Sequence, residues 1–137
     1  LSFVRLLGVA VFATGSLPQA SSHAALASLQ KKAAASKKAY LAPGEADSRL
    51  LSLCACPHYL GEIVIYLGLA LVAAGGFSSP SSSPLTEERS AGVLPLLVLV
   101  WVSVNLALAS AETKRWYRRR FPGEFPEARA ALVPGVF

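Results

Sequence analysis

Three apolar stretches, each close to the length a helix needs to cross a bilayer and each flanked by Lys and Arg, constrain this chain more than anything else in it. The first covers residues 1–17 and is interrupted only by Arg5. The second, YLGEIVIYLGLALVAA, falls within residues 59–75, and the third, GVLPLLVLVWVSVNLALAS, covers 92–110. A 137-residue chain that is 53% hydrophobic and 15% charged cannot hide such segments in a soluble core, so lipid is their expected solvent. The first stretch sits where a signal peptide would. It runs through Gly8 and Gly15 straight into a polar, helix-forming segment, however, which favours a membrane helix. Because the chain opens on Leu1 and contains no methionine, it is expected to be a fragment of a longer protein.

The basic residues decide orientation rather than a nucleic-acid partner. Net charge is +5, but Lys and Arg flank the apolar segments instead of lining a polar surface interleaved with aromatics. Five lie between the first and second segments (Lys31, Lys32, Lys37, Lys38, Arg49), one (Arg89) between the second and third, and six after the third (Lys114, Arg115, Arg118, Arg119, Arg120, Arg129). By the positive-inside tendency, residues 30–57 and the tail 111–137 face the cytoplasm, and the Ser/Pro-rich connection 76–91, read as a flexible loop, faces the other compartment. The Ala-, Leu- and Lys-rich stretch after the first segment is expected to stay helical to Lys38 and to break near Ala42, Pro43 and Gly44. The fold class is therefore an all-α integral membrane protein with about three transmembrane helices, an amphipathic cytoplasmic connection and a basic C-terminal tail.

Few residues carry recognisable chemistry. Gln19 and His23 are four apart and share a helical face where apolar sequence turns polar, which also describes an ordinary interfacial helix end. His58 and Glu62 repeat that spacing at the start of the second segment. A carboxylate one turn inside an apolar helix is costly unless it faces a cavity or a partner, so Glu62 points to a polar site. Tyr59 and Tyr66 fit either that site or an interfacial aromatic belt. Cys54, Cys56 and His58 form a Cys-x-Cys-x-His run, but no fourth ligand follows and no metal is expected. Asn105, a lone polar residue in the third segment, is expected to hydrogen-bond another helix. Arg115, Trp116 and Tyr117 stand where the chain leaves the membrane, where cations anchor topology and also suit phosphates. No Ser-His-Asp arrangement, Gly-rich phosphate loop or HExxH is present.

The string CPHYLGEIVIYLG, from Cys56 to Gly68, resembles the block that opens a membrane helix in the steroid 5α-reductase family, and most closely in its polyprenol reductase branch. GSLPQASSHAALASLQ upstream, YLAPGE, and downstream KRWYRRRF with FPEARAALVPGVF resemble further family blocks in the same order. The chain departs from the family pattern at Pro18, Gln30, Lys114 and Gly135, and carries an extra residue within FPGEFPEAR. The resemblance implies a seven-helix fold of the endoplasmic reticulum membrane whose C-terminal half holds NADPH from the cytoplasmic side. It implies NADPH-dependent reduction of a conjugated carbon-carbon double bond in a lipid, a polyisoprenoid or a steroid, with polyprenol on the route to dolichol and protein glycosylation foremost. It also implies a cofactor site lined by Gln19, His23, Tyr40, His58, Glu62, Tyr117 and Arg129. The family's substrate-polarising Glu and Tyr belong to the N-terminal half, so no catalytic acid is named here. Steroid or enoyl-CoA reductases share the pattern, isoprenylcysteine methyltransferases end in a comparable helical pair and basic tail, and a non-catalytic membrane scaffold is the non-enzyme alternative.

Overall fold

A computed structural model describes residues 2–44, 49–75 and 85–136, with backbone alone described over 85–92. Four helices follow in order: α1 (Phe3–Ala35), α2 (Arg49–Leu53), α3 (Pro57–Ala74) and α4 (Leu85–Arg120). Three of them, α1, α3 and Val93–Arg120 of α4, are long and apolar enough to span a membrane. At 1.5 Å per residue α1 and α4 are each about 50 Å long and α3 about 27 Å, so only α3 matches a bilayer core of about 30 Å. The long helices outrun it.

Helix boundaries follow local chemistry. Ser2 caps α1, its hydroxyl accepting from Arg5 N at 3.4 Å and donating to the Gly75 carbonyl at 3.1 Å, which ties the start of α1 to the end of α3. The expected helix past the first apolar stretch forms, but it ends at Ala35 rather than Lys38. Lys37 turns left-handed (φ 52°), Lys38 N donates to Ala33 O and Lys37 N to Ala34 O. This is a two-bond C-cap that closes the helix one turn early. Pro57 opens α3 at its first turn, where the missing N–H costs nothing.

The expected loop 76–91 is shorter than the sequence suggests. Residues 76–84 lie outside the described residues, and 85–91 are helical because LTEERSA is built of good helix formers. The expected tail likewise starts later, since 111–120 continue α4. Asn105 is exposed on α4.

The pairing of α1 with α3 is set by glycines. A Cβ added at Gly68 would stand 2.5 Å from Phe12 N and 2.8 Å from Gly8 O, and one at Gly15 would stand 2.7 Å from Gly61 O. Gly8 and Gly15 on α1, and Gly61 and Gly68 on α3 with Gly75 at its C-cap, recur every seven residues, so one seam of each helix stays bare and the backbones meet antiparallel. Ser22 and Leu29 continue the α1 seam and are buried. Both α1 and α4 contact α3, and they do not contact each other closely. Because α3 begins only at Pro57, the parts of α1 and α4 that project past it stand apart, leaving room between them.

Residues 121–136 fold back over the start of α3. Ala55 N donates to Ala130 O at 2.9 Å and Cys56 N to Ala131 O at 3.1 Å. Ala55, Cys56, Phe121 and Phe125 form a small buried core there, with Tyr59 and Tyr117 packed against it.

Candidate functional site

The room between the projecting ends of α1 and α4 holds a cavity of about 280 Å³. One wall is the α1 face Leu26, Leu29, Gln30 and Ala33, whose three- and four-residue spacing keeps it continuous. The opposite wall is Trp116 and Tyr117 of α4, and residues 39–41 close it from the side. Tyr40 meets Trp116 edge-on with ring centroids 5.2 Å apart, and Trp116 meets Tyr117 at 5.1 Å. Tyr117 in turn stacks on Phe125 at 5.1 Å with the planes 11° apart. Three aromatic rings thus frame a hollow with one amide, Gln30, on its far side. Ligand pockets for whole drug-sized molecules run from roughly 300 to 1,000 Å³, so this one accommodates a single planar ring system.

A second group of polar side chains begins at the entry of α3. The His23 and His58 rings lie 5.1 Å apart across the α1/α3 seam, and His58 lies 4.3 Å from Tyr59. His58 Nδ1 is buried without a hydrogen-bond partner, an unmet bond of the kind a ligand or water satisfies. Gln19, one turn deeper on α1, sits against Gly61, whose missing side chain gives it space. Glu62 is half-buried on α3, one turn from His58 and close enough to Tyr59 to act on it electrostatically. Tyr59 links the two groups, because it packs on the same Cys56, Phe121 and Phe125 core as Tyr117.

Arg129 lies behind that aromatic wall and does not line the cavity. Its Nη1 donates to the buried Pro43 carbonyl at 2.8 Å, and its guanidinium covers the Phe125 ring at 4.6 Å. Its Nε has no partner. Burial pulls its pKa below the usual arginine value. The other tail arginines point elsewhere. Arg115 and Arg119 are each two positions from Tyr117, about 200° round the helix from it, and both line a neighbouring cleft with Trp116. Among the described residues no three His, Cys, Asp or Glu side chains gather as a metal ion would need.

Of the residues singled out in the sequence, Tyr40 and Tyr117 line the hollow. His23 and His58 meet beside it, Gln19 and Glu62 extend that polar group along the seam, and Arg129 clamps the tail behind it. Sequence reasoning missed Trp116 as a cavity wall and Phe125 as the ring that holds both Tyr117 and Arg129. The Leu26, Leu29, Ala33 spacing was a readable sign of an inward face on α1. Nothing local marks Phe125, which reaches its place only when the tail folds back.

Three bilayer-length helices with aromatic and polar side chains gathered around a hollow at one end define a helical membrane protein with a ligand-sized cleft. A model of the family described as 3-oxo-5-alpha-steroid 4-dehydrogenase matches residues 2–78. The chain is 34% identical over 137 residues to polyprenal reductase 1 of Oryza sativa subsp. indica, covering 99% of this chain and 32% of that protein. It is 31% identical over 137 residues to polyprenal reductase 1 of Arabidopsis thaliana (100% and 37%) and 33% identical over 126 residues to polyprenal reductase of Saccharomyces cerevisiae (92% and 38%). The chain belongs to the 3-oxo-5-alpha-steroid 4-dehydrogenase family, the steroid 5α-reductases, and spans about a third of the length of these curated relatives. No solved structure matches it.

Proposed function

We propose that this chain is the cofactor-holding part of an NADPH-dependent membrane reductase that saturates a conjugated carbon-carbon double bond in a lipid, most specifically the α-isoprene unit of a polyprenal or polyprenol. The observation that carries the reading is the hollow framed by Tyr40, Trp116 and Tyr117 beside the His23, His58 and Glu62 group, in a chain similar over its whole length to proteins named polyprenal reductase. On this reading the product serves dolichol synthesis, and the protein works in the endoplasmic reticulum membrane.

The residues present suit part of a dinucleotide. Trp116 and Tyr117 offer faces and edges to a planar heteroaromatic ring, Tyr117 also offers a hydroxyl that can donate to a ligand oxygen, and Gln30 offers an amide that can both donate and accept. His58, with its unpaired Nδ1, is placed to hydrogen-bond a ligand amide or hydroxyl, and Glu62 to accept from a neighbouring donor. When bound, NADPH supplies the hydride that adds to the β-carbon of the conjugated system. The chain's own task is to seat and orient the cofactor and to keep water from one side of it with the Phe121 and Phe125 core. Polarising the substrate falls to residues in the remaining two-thirds of the relatives' length, and no catalytic acid is assigned here.

Equilibrium titration of the full-length protein with NADPH and, separately, S-adenosylmethionine tests this. Tyr117→Phe and Glu62→Gln are each expected to raise the NADPH dissociation constant roughly threefold to tenfold, the size of one lost hydrogen bond of about 0.5–1.5 kcal/mol. Unchanged NADPH binding in both variants, or tight binding of S-adenosylmethionine instead, overturns the reading.

A further inference from the structure

On the side of α4 away from the Tyr117 wall, a wide cleft of about 750 Å³ lies between the last turns of the helix and the returning tail. Arg115, Arg118 and Arg119 line one side, and Phe125, Pro126 and Glu127 the other. Arg118 is spoken for, since its Nη2 donates to Glu127 at 3.0 Å and so holds the tail at the cleft's edge. Arg115 and Arg119 bond through Nε to the Ala111 and Arg115 carbonyls of their own helix, which lays both side chains along α4. Glu112 lines an adjoining cleft with the same two arginines and makes no ion pair with either among the described residues. The cleft therefore keeps a surplus of positive charge.

The helix face below it is apolar and open. Leu94, Leu97, Trp101, Val104 and Leu108, spaced three and four apart, are 64%, 60% or otherwise more than half exposed, Leu108 and Leu97 giving the two quoted values. Counted on at the same spacing, that stripe runs into Glu112, Arg115 and Arg119. One face of α4 thus offers an apolar track about 21 Å long that ends in two cations, with Trp116, 39% exposed, at the boundary. An anionic phospholipid has that layout: an acyl chain to lie on the track and a phosphate that guanidinium forks grip in pairs. We propose that Arg115 and Arg119 bind the phosphate of an anionic phospholipid whose acyl chain lies along Leu108, Val104 and Trp101. The arginines do not line the cofactor hollow, but Trp116 lines both that hollow and the cleft it shares with Arg115 and Arg119. The lipid's role is to fix the height at which α4 leaves the bilayer, and with it the Trp116 and Tyr117 wall.

The test uses the full-length protein in phosphatidylcholine discs, with chain-brominated phosphatidylserine or chain-brominated phosphatidylcholine as the guest lipid. The Trp101 signal is isolated by difference against Trp101→Phe. Brominated phosphatidylserine is expected to quench Trp101 at about a 25-fold lower mole fraction than its phosphatidylcholine counterpart, since each of the two cations near an anionic surface contributes on the order of a fivefold preference. The double variant Arg115→Gln with Arg119→Gln is expected to lose that preference, and Arg115→Lys with Arg119→Lys to keep most of it. NADPH affinity is expected to be unchanged in both. Equal quenching by the two lipids, or quenching by neither because another part of the protein covers the face, overturns the proposal. So does reversal of the preference by millimolar inorganic phosphate, which would make a soluble anion the ligand. Loss of NADPH affinity in the Gln pair would place these arginines in the cofactor site and sink the proposal as well. Failure of the wild-type protein to bind NADPH would count against the cofactor reading alone, because the quenching arm is independent of it.

Discussion

Cys54 and Cys56 show how far burial sets chemistry at the residue scale. Both are free thiols with 1% and 0% of their surface exposed, in the turn that leads into α3. Burial raises the pKa of both, and carries Cys56 to about 12 from 9.0, while a contact with Thr113 only partly offsets it. The thiolate is the reactive form, so neither is expected to behave as a nucleophile or redox sensor. Maleimide labelling at pH 7–8 should be far slower than for an unfolded thiol and should accelerate on denaturation; labelling at the free-thiol rate would mean that the tail does not cover them. Because the folded pKa lies above the unfolded one, the folded state holds the proton more tightly. Cys56 therefore contributes stability that is fully present below pH 9 and is lost as pH rises from 9 towards about 12. A melting temperature that holds steady through that window would contradict the burial.

At the element scale the bare seam between α1 and α3 matters most. Lipid removes the hydrophobic drive for helices to associate, so close backbone packing has to supply the attraction. Gly8 faces Gly68 and Gly15 faces Gly61, and a Cβ at any of these positions meets opposing backbone at 2.5–2.9 Å, which no rotamer change can relieve. Gly68→Ala is expected to force the helices apart and to lower stability by roughly 1–3 kcal/mol, read as a drop in thermal unfolding temperature in detergent. Gly15→Ala should act likewise and should also disturb the Gln19 and His23 turn above it. If Gly68→Ala melts with the parent protein, the seam is not the contact that holds the pair. Pro18 and Pro95 interrupt the hydrogen-bond ladders of α1 and α4, yet both helices continue through them. In a long membrane helix neighbouring structure can tolerate such a break.

Over the whole molecule, the tail makes one cleft out of separate helices. Arg129 reaches back 86 residues to the Pro43 carbonyl, and the 130–131 backbone pairs with residues 55–56, so the linker after α1, the entry to α3 and the end of α4 are joined at one point. Arg129→Gln removes the cover of Phe125 and leaves a buried carbonyl without its donor, a loss of about 1–3 kcal/mol. It is expected to lower the unfolding temperature and to raise Cys56 labelling together. Movement of one without the other would show that the clamp and the cover over the thiols are separate.

The sequence by itself determined the solvent and the elements. Runs of apolar residues in 1–17, 59–75 and 92–110 must lie in lipid as helices, because helical backbone satisfies its own hydrogen bonds there. It also marked the two i, i+4 polar pairs, since a carboxylate such as Glu62 inside an apolar helix is too costly to be incidental. Helix lengths were only partly legible: the C-cap at Lys37 and the helical start at Leu85 depend on backbone choices to which hydropathy is blind. What only the tertiary structure decided was which residues meet. The antiparallel glycine register set His23 beside His58, the shortness of α3 against its neighbours opened the hollow, and the returning tail carried Phe125 under Tyr117 and Arg129. Each of these is a contact between residues distant in sequence, fixed by close packing and backbone pairing rather than by the pattern of any one segment.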